Sequence, residues 1–293
     1  MRYLQQDGAR VRRFWAVEQE AEVLILASGT LTRGGWGWEL IAREDEAHAA
    51  QMAEQIAAKH LAQGYREAPA PTELRRPGKK KWTDCLISAI GRSSVSAVHA
   101  ALARGADVSA RNVQGWLPLS HAVHRDSPNL EIVRALVLHG APLDAGNGEA
   151  LELAARHDLG AVRLLLENGA VLRPSLLCEA VMGHQIDVID ELVARGLDPS
   201  AANLGGEPAW HLVVEGRLRE GAPVAEALLR HGTAVNLQDR EGNTALHRVV
   251  RGSRAEWIPW LLERGADPML RNKKGQAPLD LAATDAVRVA LGA

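Results

Sequence analysis

Along residues 82–293 the apolar positions come in short blocks of Leu, Val, Ala and Ile at helical spacing, and one kind of block ends each time in glycine. The stretch "LLERGADP" at 261–268 has relatives in "ALARGADV" from 101, "LVLHGAPL" from 136, "LLENGAVL" from 165, "LVARGLDP" from 192 and "LLRHGTAV" from 228. Their glycines are Gly105, Gly140, Gly169, Gly196, Gly232 and Gly265, with spacings of 35, 29, 27, 36 and 33 residues. An apolar run at helical period that stops at glycine predicts a helix closed by a left-handed residue. A second block recurs upstream: "GWLPLSHAV" from 115, "GEPAWHLVV" from 206, "GNTALHRVV" from 242 and "GQAPLDLAA" from 275. The pattern therefore predicts a turn, a short helix, a second helix and a glycine stop, several times over.

These two motifs, recurring in fixed order, resemble the ankyrin repeat family over about residues 82–293. The resemblance implies an all-α solenoid of about six to seven repeats, since one such unit cannot bury its apolar face alone. The unit at 236–272 fits the pattern best, the units at 145–205 are degenerate, and the shortened last unit reads as a cap. From each glycine stop to the key apolar residue of the next first helix the count is 14 at Leu119, Trp210, Leu246 and Leu279. It falls to 11 at Leu151 and 8 at Leu177. That interval carries the hairpin finger, so two adjacent fingers are expected to be short, leaving a cleft beside the concave face. Long helix–helix loops are expected near "HRDSPNL" (124–130) and "EGRLREGAP" (215–223).

The resemblance further implies recognition through finger tips and the first-helix face. Mapped by register, the protein-binding candidates are Asn112, Gln114, Trp116, His121, His124, Arg156, Glu215, Arg240, Asn243, Arg248, Arg251, Lys273 and Lys274. Trp116 follows the turn glycine and is expected to be an exposed anchor. His211 and His247 hold the position at which the family's imidazole bonds loop backbone. His121 and His124 lie three apart on one short helix with no third ligand nearby, so no metal site is expected. Pro259 fits a second helix only if it lies in the first turn.

The front of the chain reads differently. "RVRRFWAVEQ" (10–19), "AEVLILAS" (21–28) and "GWGWELIA" (35–42) predict strands. Residues 44–63 predict a helix with Ala49, Met52, Ala53, Ile56, Ala57 and Leu61 on one stripe, stopped by Gly64. This order is an α+β layout, an antiparallel sheet plus one helix, and over about residues 1–67 it resembles the WGR domain. In poly(ADP-ribose) polymerases that module contacts DNA ends through the Trp and Arg of its triplet. Here the triplet position holds Ser28, Gly29 and Thr30, which keeps the glycine and lacks both contacting side chains. Trp36 and Trp38 alternate with Gly37 and are expected to face a core. The stretch "EAPAPTELRRPGKKK", with Pro69, Pro71 and Pro77, predicts an exposed basic linker at 68–81. Nucleic-acid candidates are Arg12, Arg13, Arg33, Arg75, Arg76, Lys79, Lys80 and Lys81.

Composition adds limits. Aromatics are 4% of 293 residues, so a core of Leu, Val and Ala is expected. The net charge of −2 favours neither nucleic acid nor membrane. Cys85 and Cys178 form no close-spaced pair, which argues against a disulfide framework or zinc site. With no apolar leader and no run of about 18 apolar residues, the cytoplasm is the expected location. No nucleophile elbow, phosphate loop, dinucleotide fingerprint or HExxH motif is present, so no enzyme and no cofactor are expected. The functional expectation is an adaptor that captures a protein partner, a toxin or effector to neutralise or an enzyme to recruit. The alternative is a nucleic-acid adaptor tied to DNA repair or the damage response. The sequence does not set an oligomeric state.

Overall fold

The computed structural model describes residues 2–7, 12–20, 23–30, 36–42, 46–67, 79–124, 128–216, 218–252 and 254–291, with backbone alone for 2–3, 6–7, 12–20, 23–30, 36–42, 46–48, 79–81 and 218. The chain divides into two compact units, Met1–Val123 with Asn129–Pro142, and His124–Pro128 with Leu143–Ala293.

The first unit opens with strands β1 (Arg2–Asp7), β2 (Arg12–Glu20), β3 (Val23–Thr30) and β4 (Trp36–Ala42), helix α1 (Glu46–Ala62) and the short β5 (Arg66–Glu67). The sheet order is β4-β3-β2-β1-β5, with antiparallel neighbours throughout. Gly29 sits opposite Phe14 on one side and Trp36 on the other. In α1, Ala49 and Ala57 are buried, as the stripe predicts, but His60 is buried beside them and Leu61 is 41% exposed. After Gly64, at φ +87°, the Tyr65 N–H returns to the His60 carbonyl and the two rings meet edge to face at 5.2 Å. That ring contact, rather than Leu61, closes the end of the stripe.

Two helix pairs complete this unit: α2 (Lys79–Gly91) with α3 (Val95–Ala103), and α4 (Pro118–Val123) with α5 (Leu130–Leu138). Lys79, Lys80 and Lys81 form the first turn of α2, a correction to the linker boundary at 81. Residues 68–78, with Arg75 and Arg76, lie outside the described residues, as do Arg33 and residues 125–127 of the stretch 124–130 expected as a long loop.

The second unit holds α6 (Ala145–His157), α7 (Leu159–Glu167), α8 (Ser175–Met182), α9 (Ile186–Ala194), α10 (Ala209–Val213), α11 (Leu218–Arg230), α12 (Ala245–Arg251), α13 (Trp257–Glu263), a 3-10 turn at Pro278–Leu281 and α14 (Asp285–Ala290). Counting both units, seven helix pairs stand among the described residues. In the second unit, first helices stack on first helices (α6, α8, α10, α12, then the 3-10 turn) and second helices on second helices (α7, α9, α11). The core is aliphatic: Leu151, Leu177 and Leu246 are buried at the key position, and Trp210 replaces leucine there. Its indole N–H donates to the Val235 carbonyl at 3.1 Å, which satisfies the one polar atom the exchange introduces. All six glycine stops adopt positive φ; Gly232 is at +94°. Pro259 occupies the first turn of α13, where no helical N–H is lost.

The interval before Leu151 has no hairpin: α6 begins with Gly146, Asn147 and Gly148 at positive φ. The stretch 170–174 is likewise a plain connection. One loop expectation is overturned. Residues 218–223 are the first turns of α11, with Pro223 inside the helix. Val224, Ala225, Ala227 and Leu228 bury a continuous stripe, and that burial carries the helix back through the glycine and proline.

A candidate partner-binding surface

Each finger turns on one Asn or Asp side chain. Asn112 Oδ1 accepts the N–H groups of Gln114 at 3.0 Å and Trp116 at 2.8 Å. Asn203 accepts from Gly205 and Glu207, Asp239 from Glu241 and Asn243, and Asn272 from Lys274 and Gln276, all between 2.8 and 3.1 Å. These bonds fix the turn backbone and leave the two central side chains outside. In the second unit those are Leu204, 87% exposed, with Arg240, Glu241, Lys273 and Lys274. Neighbouring fingers are tied together: Lys273 N–H donates to Glu241 O at 2.9 Å and Asn272 Nδ2 to Asn243 Oδ1 at 3.0 Å. The Arg240 guanidinium lies on Gly206, where an added Cβ would come within 2.7 Å of its Nε.

Behind the fingers one position repeats. His247 Nε2–H donates to Gln276 O at 2.9 Å, and its Nδ1 accepts from the Thr244 hydroxyl at 2.9 Å. His211 Nε2–H donates to Asn243 O at 3.0 Å. Both carbonyls fix which ring nitrogen holds the proton. Cys178 takes the same place one repeat earlier, its thiol 3.9 Å from Glu207 O. Burial, then the charges of Glu179 and Glu207, push that thiol up to about 11, so it stays protonated and unreactive at neutral pH.

On the first-helix face Arg248 collects three carboxylates. It donates to Glu215 at 3.0 Å, to Asp239 at 3.2 Å, and to Glu207. Its side chain is 19% exposed and that of Asp239 only 2%. Burial alone would raise the Asp239 carboxyl, but the Asn243 N–H, Arg248 and the Asn243 amide outweigh it and hold it below its usual range. Two clefts open beside this node. One, of about 370 Å³, is lined by Val214, Glu215, Arg248, Arg251, Gly252 and Arg254. The other, of about 210 Å³, is walled by the ends of α8 and α10 and by the start of α11, with Met182, Leu212, Glu215 and Val224 among its lining.

The sequence-derived candidates sort accordingly. Gln114, Arg240, Lys273 and Lys274 are exposed at tips, and Arg251 is exposed beside the larger cleft. Arg156 pairs with Glu179, and Glu215 with Arg248. His121 is half-buried and His124 exposed; no group of three or more metal-binding side chains occurs among the described residues. Three candidates need correction. Asn243 is buried, bonded to Asp239 and Asn272. The Asn112 oxygen serves its own turn. Trp116 is half-buried rather than fully exposed, its backbone drawn in by that turn. The side chains of Arg12, Arg13 and Lys79–Lys81 lie outside the described residues. Leu204 and Val113 lie within the tip stretches that the register marks but are absent from the named candidates, and both are exposed. The described clefts open at the C-terminal ends of first helices, not at the short fingers.

The comparisons agree with this architecture. Family models described as ankyrin repeats match residues 86–175 (three copies) and 228–282 (many copies). The solved ankyrin repeat domain of Bcl-3, a member of the IkappaB protein family, is 26% identical, with a TM-score of 0.56 over 71% of this chain and 97% of that one. The human ASB11 ankyrin repeat domain, 22% identical with a TM-score of 0.59 over 70% of this chain and 96% of that one, shows the shared fold. Protein PhlB of Serratia liquefaciens is 36% identical over 37% of this chain and 47% of its own length. The human 2-5A-dependent ribonuclease is 42% identical over 25% of this chain, and the match spans 10% of that enzyme. The intracellular phospholipase A2 of Caenorhabditis elegans is 27% identical over 60% of this chain, and again only 18% of the relative is spanned. This chain thus carries ankyrin repeats, folded as a helical solenoid, and such arrays generally mediate protein–protein interaction. Among the described residues no helix is long and apolar enough to cross a membrane.

Proposed function

We propose that this chain is a non-enzymatic adaptor that captures a protein partner on the finger tips and first-helix face of its second unit, either neutralising an effector or recruiting an enzyme. The observation that carries the reading is the tip geometry. Leu204, Arg240, Lys273 and Lys274 are exposed on turns already fixed by Asx bonds and by links between fingers. Little backbone freedom remains to be lost on binding, which is the condition under which a few side chains give useful affinity. Cys178 is held as a protonated thiol, and the buried carboxylate of Asp239 is bound to Arg248, so neither is poised for chemistry.

The test is co-purification from the native host with tagged wild type and with the variants Leu204→Asp, Arg240→Glu and Lys273→Glu. Loss of a specific partner from the variants is expected. Equal recovery of the same partner by all of them overturns the assignment to the tips.

A further inference from the structure

The two clefts of the second unit adjoin, because Glu215 lines both. The smaller is apolar, with Val181, Met182, Leu212, Val213 and Val224 on its walls. At about 210 Å³ it falls short of the roughly 300 Å³ at which small-molecule pockets begin, and suits one apolar side chain. One wall exists only because α11 begins early, with Gly221 and Val224 facing the end of α8. The larger cleft carries three guanidinium groups against one carboxylate. Glu207 and Asp239, which hold Arg248 from behind, do not line it. Arg254 gives one N–H to Val214 O at 2.8 Å. Arg251 is exposed and has no ion-pair partner among the described residues.

From this arrangement we infer that the face takes an acidic peptide segment of the partner protein. Its apolar side chain sits in the Met182–Leu212–Val224 cleft, and its Asp or Glu carboxylate is held by Arg251 and Arg254. The planar fork of arginine matches a carboxylate, and Arg251 and Arg254, unlike Arg248, pair with no carboxylate among the described residues and so favour an anion. Glu215 stands between the two clefts and repels an acid from the apolar side. The two recognised groups therefore lie a few residues apart on one segment, in a fixed order. Nucleic acid fits less well, because neither cleft is lined by Phe, Tyr or Trp on which successive bases would stack; His184 is the single aromatic ring in their lining.

The inference rests on the reading of this array as a protein binder. A random dodecapeptide library displayed on phage, selected on the full chain, tests it. Enriched peptides are expected to place Asp or Glu within a few residues of an apolar side chain. Their affinity, read by fluorescence anisotropy, should fall at least about tenfold in Arg251→Glu and in Met182→Asp, as for central contacts of an interface. It should stay within about twofold in Glu167→Ala, an exposed position at the end of α7 that lies on no finger and lines neither cleft. Both cleft positions are exposed, so these variants are expected to keep the wild-type circular dichroism spectrum. Peptides that lack an acid, or whose binding ignores Arg251→Glu, overturn the inference and leave the protein-binding reading standing if finger variants abolish them. Failure to enrich any peptide also overturns it, and the co-purification above then decides the broader reading separately.

Discussion

Trp257 donates its indole N–H to the Gly216 carbonyl at 2.9 Å, and its ring is fully buried. This bond ties α13 to the connection that precedes α11 and so holds the wall of the apolar cleft. Gly221 makes room for it: an added Cβ would lie 2.7 Å from Trp257 Cζ2 and 2.9 Å from the Val213 carbonyl oxygen. Alanine improves helix propensity by about 1 kcal/mol over glycine. Overpacking costs roughly 1–3 kcal/mol, and one of the two obstacles here, the Val213 carbonyl, is backbone. Gly221→Ala is therefore expected to destabilise by up to ~2 kcal/mol in urea titration. A stabilised variant would show that the approach is not as tight as described.

The Arg248 node separates buried from exposed charge. Arg248→Ala strands the Asp239 carboxylate, which is only 2% exposed, and is expected to cost on the order of 3 kcal/mol. The Glu215 side chain is 54% exposed, so Glu215→Ala is expected to cost no more than about 1 kcal/mol. Equal effects of the two substitutions would contradict this division.

Stability should depend on mild acid through His211. Burial first, and Arg248 less, lower its pKa below 6.5, against the bond to the Asn243 carbonyl and the charges of Asp239 and Glu207. The unfolded chain binds the proton more readily, so this contribution is complete above pH 6.5 and is lost as the pH falls below that value. The depressed Asp239 acts lower, contributing above about pH 4 and being lost beneath it. His211→Gln keeps a donor toward Asn243 O and removes the titration. Melting temperatures of that variant should vary less than wild type between about pH 5 and 6.5. An unchanged slope would assign the acid sensitivity elsewhere.

The nucleic-acid alternative has a direct test at Lys79, Lys80 and Lys81. No retention on duplex or nicked DNA is expected at low salt. Retention that falls steeply with salt, and is lost on changing all three lysines to alanine, would reinstate that reading.

What the sequence revealed, and what it hid, follows from the range of the interactions. Helix stops were legible because Gly105, Gly140, Gly169, Gly196, Gly232 and Gly265 each meet a local backbone demand, and all six take positive φ. The exchange of leucine for Trp210 was legible from spacing alone. Asn112 and Asn243 were misplaced because register marks them as tip residues, while short-range N–H groups and the neighbouring Asn272 draw their side chains inward. The start of α11 was hidden because Gly216, Gly221 and Pro223 read locally as a loop, whereas the contact that makes Gly221 necessary comes from Trp257 in the next repeat. The clefts were hidden for the same reason, since Met182 and Val224 meet only in the folded chain.

Hydrogen exchange of the chain with and without its captured partner tests the central claim most directly. Protection is expected in the peptides covering 203–216, 239–254 and 272–276, the fingers and first helices, with the second helices at 159–167 and 186–194 unchanged. Protection confined to those second helices, or to residues 2–67, would contradict it.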